Sequence, residues 1–190
     1  MTMSGNNVLL GICGGIAAYK SCGLVRMLKK DGCEVRCILT KSGSEFVTAL
    51  TLQTLSEAPV ATDMFDLIKE REIGHISLAK FADVVVVAPA TANIIAKVAC
   101  GICDDMLSTT ICATKAPVVF APAMNAGMWE NPVTQKNVAT LKNLGYYFIE
   151  PETGKLACGD EGPGRMAELE KIRQVIIKQT TDGFRSTDHR

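Results

Sequence analysis

Short apolar runs and helical periodicities alternate along this chain. Residues 7–13 (NVLLGIC) form an apolar run that breaks at Gly14-Gly15. From Ile16 the period changes: Ala17, Leu24, Val25 and Leu28 recur at helical spacing, and Asp31-Gly32 closes the helix. Residues 33–40 (CEVRCILT) alternate like a strand, and 44–56 (SEFVTALTLQTLS) read as a helix. The run 82–90 (ADVVVVAPA) is a fully buried strand, since four consecutive valines present no polar face. Residues 92–101 and 104–114 follow as helices, and 116–122 (APVVFAP) as another buried strand. Pro132 suits the first turn of a helix ending near Leu144, with Gly145 beyond it, and 146–149 (YYFI) is a last short strand. Residues 167–179 read as a closing helix.

Strand and helix repeated about five times specify an α/β single domain: a Rossmann-like (flavodoxin-like), doubly wound parallel sheet with helices on both faces. Such a sheet binds ligands beyond the carboxyl ends of its strands. The domain is placed at 1–178. Within it, 151–166 (PETGKLACGDEGPGRM) is too rich in glycine for a regular element and reads as a mobile, substrate-covering loop. Residues 179–190 read as a frayed polar tail.

Composition narrows this picture by exclusion. Twenty basic residues balance twenty acidic ones, which gives no reason to expect nucleic acid or an anionic membrane as partner. No apolar run reaches the roughly 18 residues of a membrane span. The stretch 8–18 is apolar, but no Lys or Arg precedes it and glycines interrupt it, so it is not read as a signal peptide. Eight cysteines, several on strands and helices, read as reduced thiols of a cytoplasmic protein. Cys100 and Cys103 have CxxC spacing, with Asp104 and Cys112 behind them, but no second ligand pair exists. No metal is expected, and these cysteines read as helix packing.

The glycines at 14 and 15 lie on a strand-to-helix turn, where backbone N–H groups and a helix N-terminus favour a phosphate. Alone, the pattern equally describes a tight turn. The spacing is not GxGxxG, and the second strand ends in Thr40-Lys41-Ser42 rather than in an acidic ribose clamp, so a mononucleotide is favoured over NAD. Thr91 and Asn93 add small polar groups at a third strand end.

Five segments occur together and in order: GGIAAYK (14–20), His75 within GHISLAK, APATAN (88–93), PAMNAGMW (122–129) and ACGDEGPGRM (157–166). With them the chain resembles the phosphopantothenoylcysteine decarboxylases, of the flavin-dependent cysteine decarboxylases. The resemblance runs over about residues 7–166 and is nearest to the decarboxylase part of the bacterial bifunctional coenzyme A biosynthesis flavoprotein. It implies FMN as cofactor and a homotrimer or dodecamer with the site between subunits. It also implies decarboxylation of 4'-phosphopantothenoylcysteine to 4'-phosphopantetheine, through transient oxidation to a thioaldehyde, loss of CO2 to an ene-thiolate, and re-reduction. The usual bacterial enzyme continues into a synthetase domain. Here a single-function decarboxylase is expected, with the synthetase a separate protein.

Residue by residue, the resemblance places Gly14, Gly15, Ile16, Thr40, Ser42, Ala90, Thr91, Ala92 and Asn93 around FMN. It places Met124, Asn125, Ala157, Gly159, Asp160 and Arg165 around the substrate, and His75, Asn125 and Cys158 in catalysis. His75, at a helix start that disfavours imidazolium, would act as base; on spacing alone it is equally a helix cap. Asn125 offers donors without charge, so it can hold a carboxylate and still release CO2; on its own it is equally a turn cap. Cys158 would be the final acid, held protonated by Asp160; otherwise it is a loop cysteine. Met124, Met128 and Trp129 read as apolar walls, subunit packing or core. Other readings of the same motifs are a peptidyl-cysteine decarboxylase, a flavin prenyltransferase, or a non-catalytic flavin-binding regulatory subunit.

Overall fold

The computed structural model describes residues 5–64, 74–157 and 159–186. Six strands form one parallel sheet: β1 (Asn7–Ile12), β2 (Glu34–Leu39), β3 (Val60–Ala61), β4 (Val84–Ala90), β5 (Val118–Pro122) and β6 (Tyr147–Phe148). Their order is β3-β2-β1-β4-β5-β6, so the chain winds outward from β1 and then returns to its other side. The crevice at that reversal lies between the carboxyl ends of β1 and β4, where an open α/β sheet takes its ligands.

The alternation of β1 explains the two layers. Val8, Leu10 and Ile12 point to one face, where they meet α1 (Ala18–Lys30), α2 (Ala49–Ser56) and α8 (Leu169–Ser186). Leu9 points to the other, beneath α3 (Gly74–Phe81), α4 (Ala92–Ala99), α5 (Met106–Ala113) and α7 (Pro132–Asn143). Val84 to Val87 on β4 are wholly buried, as an apolar run covered on both sides requires. Gly11 is the one small position on β1, and a Cβ there would lie 2.5 Å from Leu107 Cδ1; α5 therefore packs down onto bare backbone.

Four elements differ from the sequence reading. The expected helix over 44–56 splits into a 3-10 turn (Gly43–Glu45) and α2, which Thr48 caps by accepting from Thr51 N at 3.1 Å. Strand β3 and helix α6 (Ala126–Trp129) hold two and four residues, too few to show a period. The glycine-rich 151–166 stretch is not an irregular loop but an antiparallel hairpin, β7 (Glu152–Lys155) and β8 (Glu161–Arg165). The glycines that argued against a strand are required by close packing: a Cβ on Gly164 would stand 2.2 Å from Met124 O, and one on Gly162 would stand 2.9 Å from Ala126 Cβ.

Helix α8 likewise continues through Ser186, into the segment expected to fray. Gln179 and Thr180 are buried, and the Thr180 and Thr181 hydroxyls donate back to the Ile176 and Ile177 carbonyls. Thr180 thus looks polar in the sequence without being solvated, whereas Thr181 stays exposed. The Arg173 guanidinium ties α8 to α1 through both oxygens of Asp31, at 2.5 and 3.0 Å, and Ile172 and Ile176 are fully buried. Among the described residues, no helix is long and apolar enough to cross a membrane.

Candidate active site

Strand β1 delivers Cys13 and Gly14 to the carboxyl edge. A Cβ on Gly14 would lie 2.4 Å from Ser42 Cβ and 2.7 Å from Ser42 O, so the β1–α1 turn closes onto the loop after β2 only with glycine there. Gly15 is different: nothing stands within 4 Å of where its Cβ would be. It faces a cavity of about 600 Å³ whose walls include Gly14, Ile16, Tyr19, Lys20, Thr91 and Met124. The N-cap of α1, Ala17, has no side-chain acceptor for the first-turn N–H groups. By contrast α2, α4, α5 and α7 are capped by Thr48, Thr91, Asp105 and Asn131.

A second cavity, of about 470 Å³, adjoins the first through Gly14, Thr91 and Met128. Thr40, Ser42 and Asn93 line it, so the three strand-end polar groups converge as expected. The Thr40 hydroxyl is already committed, donating to Ile12 O at 3.1 Å and accepting from Gly43 N at 3.1 Å. It shapes the wall and has no proton left to offer a phosphate. Thr91 Oγ1 caps α4 by accepting from Ile94 N at 3.4 Å. Ala90 and Ala92 line neither cavity; Ala90 is fully buried and its carbonyl accepts from Ala123 N at 3.0 Å.

Three residues of the second cavity carry no sequence signal. Burial pushes the Cys13 thiol up to about 12, against the opposing hydrogen bond from Thr91, so this wall is an inert thiol. Lys97 reaches Asp104 at 2.6 Å and Asp105 at 2.7 Å, and these bonds raise its pKa. Burial pushes the Asp105 carboxyl up, but Lys97 and the Ser108 donors outweigh it and hold the group below its ordinary value. Asp105 is at once the partner of Lys97 and the N-cap of α5, in a full capping box with Ser108.

At the mouth of the first cavity stands Asn125. Its Oδ1 accepts from Gly127 N at 2.8 Å and caps α6, and its Nδ2 donates to Asp160 Oδ2 at 3.4 Å. Both ends of the amide are thus oriented, which fixes where the second N–H of Nδ2 can point. Asn125 is thus a turn cap, as one of its readings expects, and it also lines the cavity. The hairpin closes the same mouth. Met124 N donates to Gly164 O at 3.0 Å, and Lys155, Leu156, Ala157 and Arg165 face the cavity. Gly159 does not line it, and Asp160 acts on it through Asn125. Met124 and Met128 form its apolar wall, whereas Trp129 is buried in the core.

Two catalytic expectations stand apart from this cluster. Cys158 lies outside the described residues, together with the effect of Asp160 upon it. His75 does sit in the first turn of α3 but lines neither cavity, and its Nδ1 is buried without a hydrogen-bond partner among the described residues. The CxxC pair is not helix packing: Cys100 and Cys112 are exposed and Cys103 is half-buried, donating to Gly101 O at 3.7 Å. Among the described residues no group of three or more His, Cys, Asp or Glu is placed to hold a metal. Of the cavity residues that sequence reasoning missed, only Lys20 had a readable signal, one helical turn after Ile16.

The flavoprotein family matches the chain over residues 1–181. The coenzyme A biosynthesis bifunctional protein CoaBC of Vibrio vulnificus is 50% identical over 167 residues, covering 88% of this chain and 42% of that protein. CoaBC of Bacillus subtilis is 49% identical over 176 residues, covering 93% of this chain and 43% of that protein. The chain therefore spans less than half the length of these relatives. A Cys-to-Ser mutant of PPC decarboxylase, complexed with pantothenoylaminoethenethiol, superimposes with a TM-score of 0.79 at 36% identity, over 90% of this chain and 96% of its own. The FMN-dependent cysteine decarboxylase SpaF gives 0.81 at 31% identity, over 95% and 98%.

Proposed function

The chain belongs to the flavoprotein family, and from that premise we propose that it carries out the FMN-dependent decarboxylation of 4'-phosphopantothenoylcysteine to 4'-phosphopantetheine in coenzyme A biosynthesis. One observation carries the reading: the cavity that Gly15 and Asn125 both line shares Gly14, Thr91 and Met128 with the polar cavity of Thr40, Ser42 and Asn93. The residues present fit a flavin mononucleotide. Gly15 leaves open the space a Cβ would fill, and α1 has no side-chain cap, although the Ala18 and Lys20 N–H groups of its first turn donate to the Gly15 and Ala17 carbonyls. Gly14, Gly15, Ile16, Thr91 and Asn93 would hold the group, with Thr40 and Ser42 shaping the wall. When bound, FMN supplies a reversible two-electron sink, which a cysteine carboxylate lacks.

The chain's own residues then have distinct tasks. Asn125 Nδ2 donates to the substrate carboxylate. A neutral amide binds that carboxylate more weakly than a guanidinium would, so little ground-state stabilisation has to be overcome when CO2 leaves. Asp160 holds the amide in place. Met124, Met128 and Leu156 exclude water from the reacting carbon. Cys158 donates the proton that replaces the lost carboxyl group. His75 takes a proton from the substrate across a subunit boundary, in a homotrimer or a dodecamer built of trimers. Its place outside both cavities supports this, as does the exposure of Ile16 and Tyr19, each 60% exposed at the cavity rim. The substrate would come from a phosphopantothenoylcysteine synthetase, fused or separate, in a reducing cytoplasmic setting.

The test is to load purified protein with FMN and offer either 4'-phosphopantothenoylcysteine or a peptide ending in cysteine. Mass spectrometry should show CO2 loss from the first and a flavin spectrum on the protein. Loss from the peptide alone would move the activity to peptidyl-cysteine substrates, and loss from neither by flavin-loaded protein would end the decarboxylase reading.

A further inference from the structure

We propose that Lys20, Lys155 and Arg165 form a receptor for a phosphate monoester dianion, the terminal phosphate of the substrate. The identity of the ester rests on the function proposed above; the receptor itself rests on charge and placement. The three side chains reach the first cavity from α1, from the end of β7 and from the end of β8. Among the described residues, no Asp or Glu lines that cavity. The acid nearest to them in an ion pair is Glu168, whose Oε1 is 3.9 Å from Lys20 Nζ and 3.7 Å from Arg165 Nη2. Glu168 is 61% exposed, so one screened carboxylate is shared at long range between two cations. Lys155 forms no ion pair among the described residues. Positive charge is therefore in excess among the residues that line a largely apolar cavity.

The two acidic groups of the substrate call for opposite treatment. The carboxylate must leave, and a cation upon it would stabilise the ground state. The phosphate remains in the product, and charge-assisted bonds to it serve binding alone. The lining contains both kinds of group: a neutral amide, Asn125, and two lysines with an arginine. Both hairpin cations also belong to the element that closes the cavity, so a phosphate held there would fasten β7 and β8 over the reacting end. The flavin's own phosphate is a second source of the same chemistry. Binding of FMN and of riboflavin by the variants tells the two sources apart.

The experiment uses FMN-loaded protein and two ligand pairs. Calorimetry compares 4'-phosphopantetheine with pantetheine, and turnover compares 4'-phosphopantothenoylcysteine with pantothenoylcysteine. Wild-type protein should prefer the phosphorylated member of each pair. Lys155→Ala and Arg165→Ala should each cut that preference about tenfold, and Glu168→Gln should raise it by removing the competing carboxylate. Equal binding of both members by wild type, or equal losses on both in the variants, would overturn the receptor. So would variants that keep the substrate preference but no longer distinguish FMN from riboflavin, which would assign the cations to the flavin. A calorimetric preference for the phosphorylated ligand without decarboxylation of either acid would leave the receptor standing and remove the proposed reaction.

Discussion

Gly14 and Gly15 are adjacent and chemically identical, yet substitution by alanine should do opposite things. At position 14 the added carbon would meet Ser42 Cβ at 2.4 Å and Ser42 O at 2.7 Å. One of those atoms is backbone, so rotating a side chain gives no relief and the β1–α1 turn must move. Overpacking of this kind costs about 1–3 kcal/mol. For a chain of this size that lowers Tm by about 3–10 °C. At position 15 nothing lies within 4 Å. Gly15→Ala should leave the flavin-free protein as stable as wild type, or up to about 1 kcal/mol more stable, because alanine restricts the unfolded chain. Its carbon would instead project into the cavity assigned to FMN. A steric cost of about 1–3 kcal/mol there weakens the flavin by a factor of about five to a hundred. Thermal denaturation of flavin-free protein and fluorescence titration with FMN read the two effects separately. A Gly15→Ala variant that binds FMN as wild type does would refute the placement of the cofactor, and a Gly14→Ala variant that melts with wild type would refute the packing argument.

Other expectations follow from particular contacts. Asn125→Asp keeps an oxygen for Gly127 N but sets a carboxylate against Asp160 and against the substrate. We expect kcat/KM to fall at least about a hundredfold with Tm little changed, read by CO2 release and calorimetry. Gly11→Ala should destabilise through Leu107, and Leu107→Ala alone should cost about 2–5 kcal/mol. The double variant should be more stable than the sum of the two predicts, which a urea-denaturation cycle measures. Asp105→Asn keeps a capping oxygen but loses the charge facing Lys97 and the start of α5, which should cost about 0.5–1 kcal/mol. The folded pKa of Asp105 is depressed, so its charge stabilises the fold above the unfolded value of about 3.9, and that contribution is lost as pH falls through the folded value. The gap between Asp105→Asn and wild type should thus be full at neutral pH and narrow only below about pH 4, in urea melts across pH.

Much of the scaffold was legible because burial on two faces writes itself into the sequence. Four valines in β4, the helical spacing of Leu24, Val25 and Leu28, and Pro132 before α7 each report a local physical demand. What was hidden depends on contacts between distant segments. Gly162 and Gly164 argued for a loop by composition, and only Ala126 Cβ, 2.9 Å from a hypothetical Cβ on the first, and the Met124 carbonyl, 2.2 Å from one on the second, explain them as strand residues. Thr180 reads as a solvated residue in the sequence, yet it is buried and its hydroxyl returns to the helix's own carbonyls. The site divides in the same way. Gly14, Gly15 and Thr91 were found at strand ends by rule, whereas the commitment of the Thr40 proton to Ile12, and of Asp160 to Asn125, could come only from coordinates.

That division has a consequence for how this site can vary. The parts read from the sequence belong to the sheet edge, where moving a residue disturbs β1, β4 or a helix cap. Lys155, Ala157 and Arg165 belong to a two-stranded appendage fastened to the scaffold by the Met124–Gly164 bond and by the bare backbone of Gly162 and Gly164. Side chains on that hairpin can change without disturbing either core layer, because those layers take in none of its residues. Flavin affinity and substrate choice should then separate under mutation. Substitutions at 14, 15 and 91 should change both, and substitutions at 155 and 165 should change which acid is accepted while the protein stays yellow.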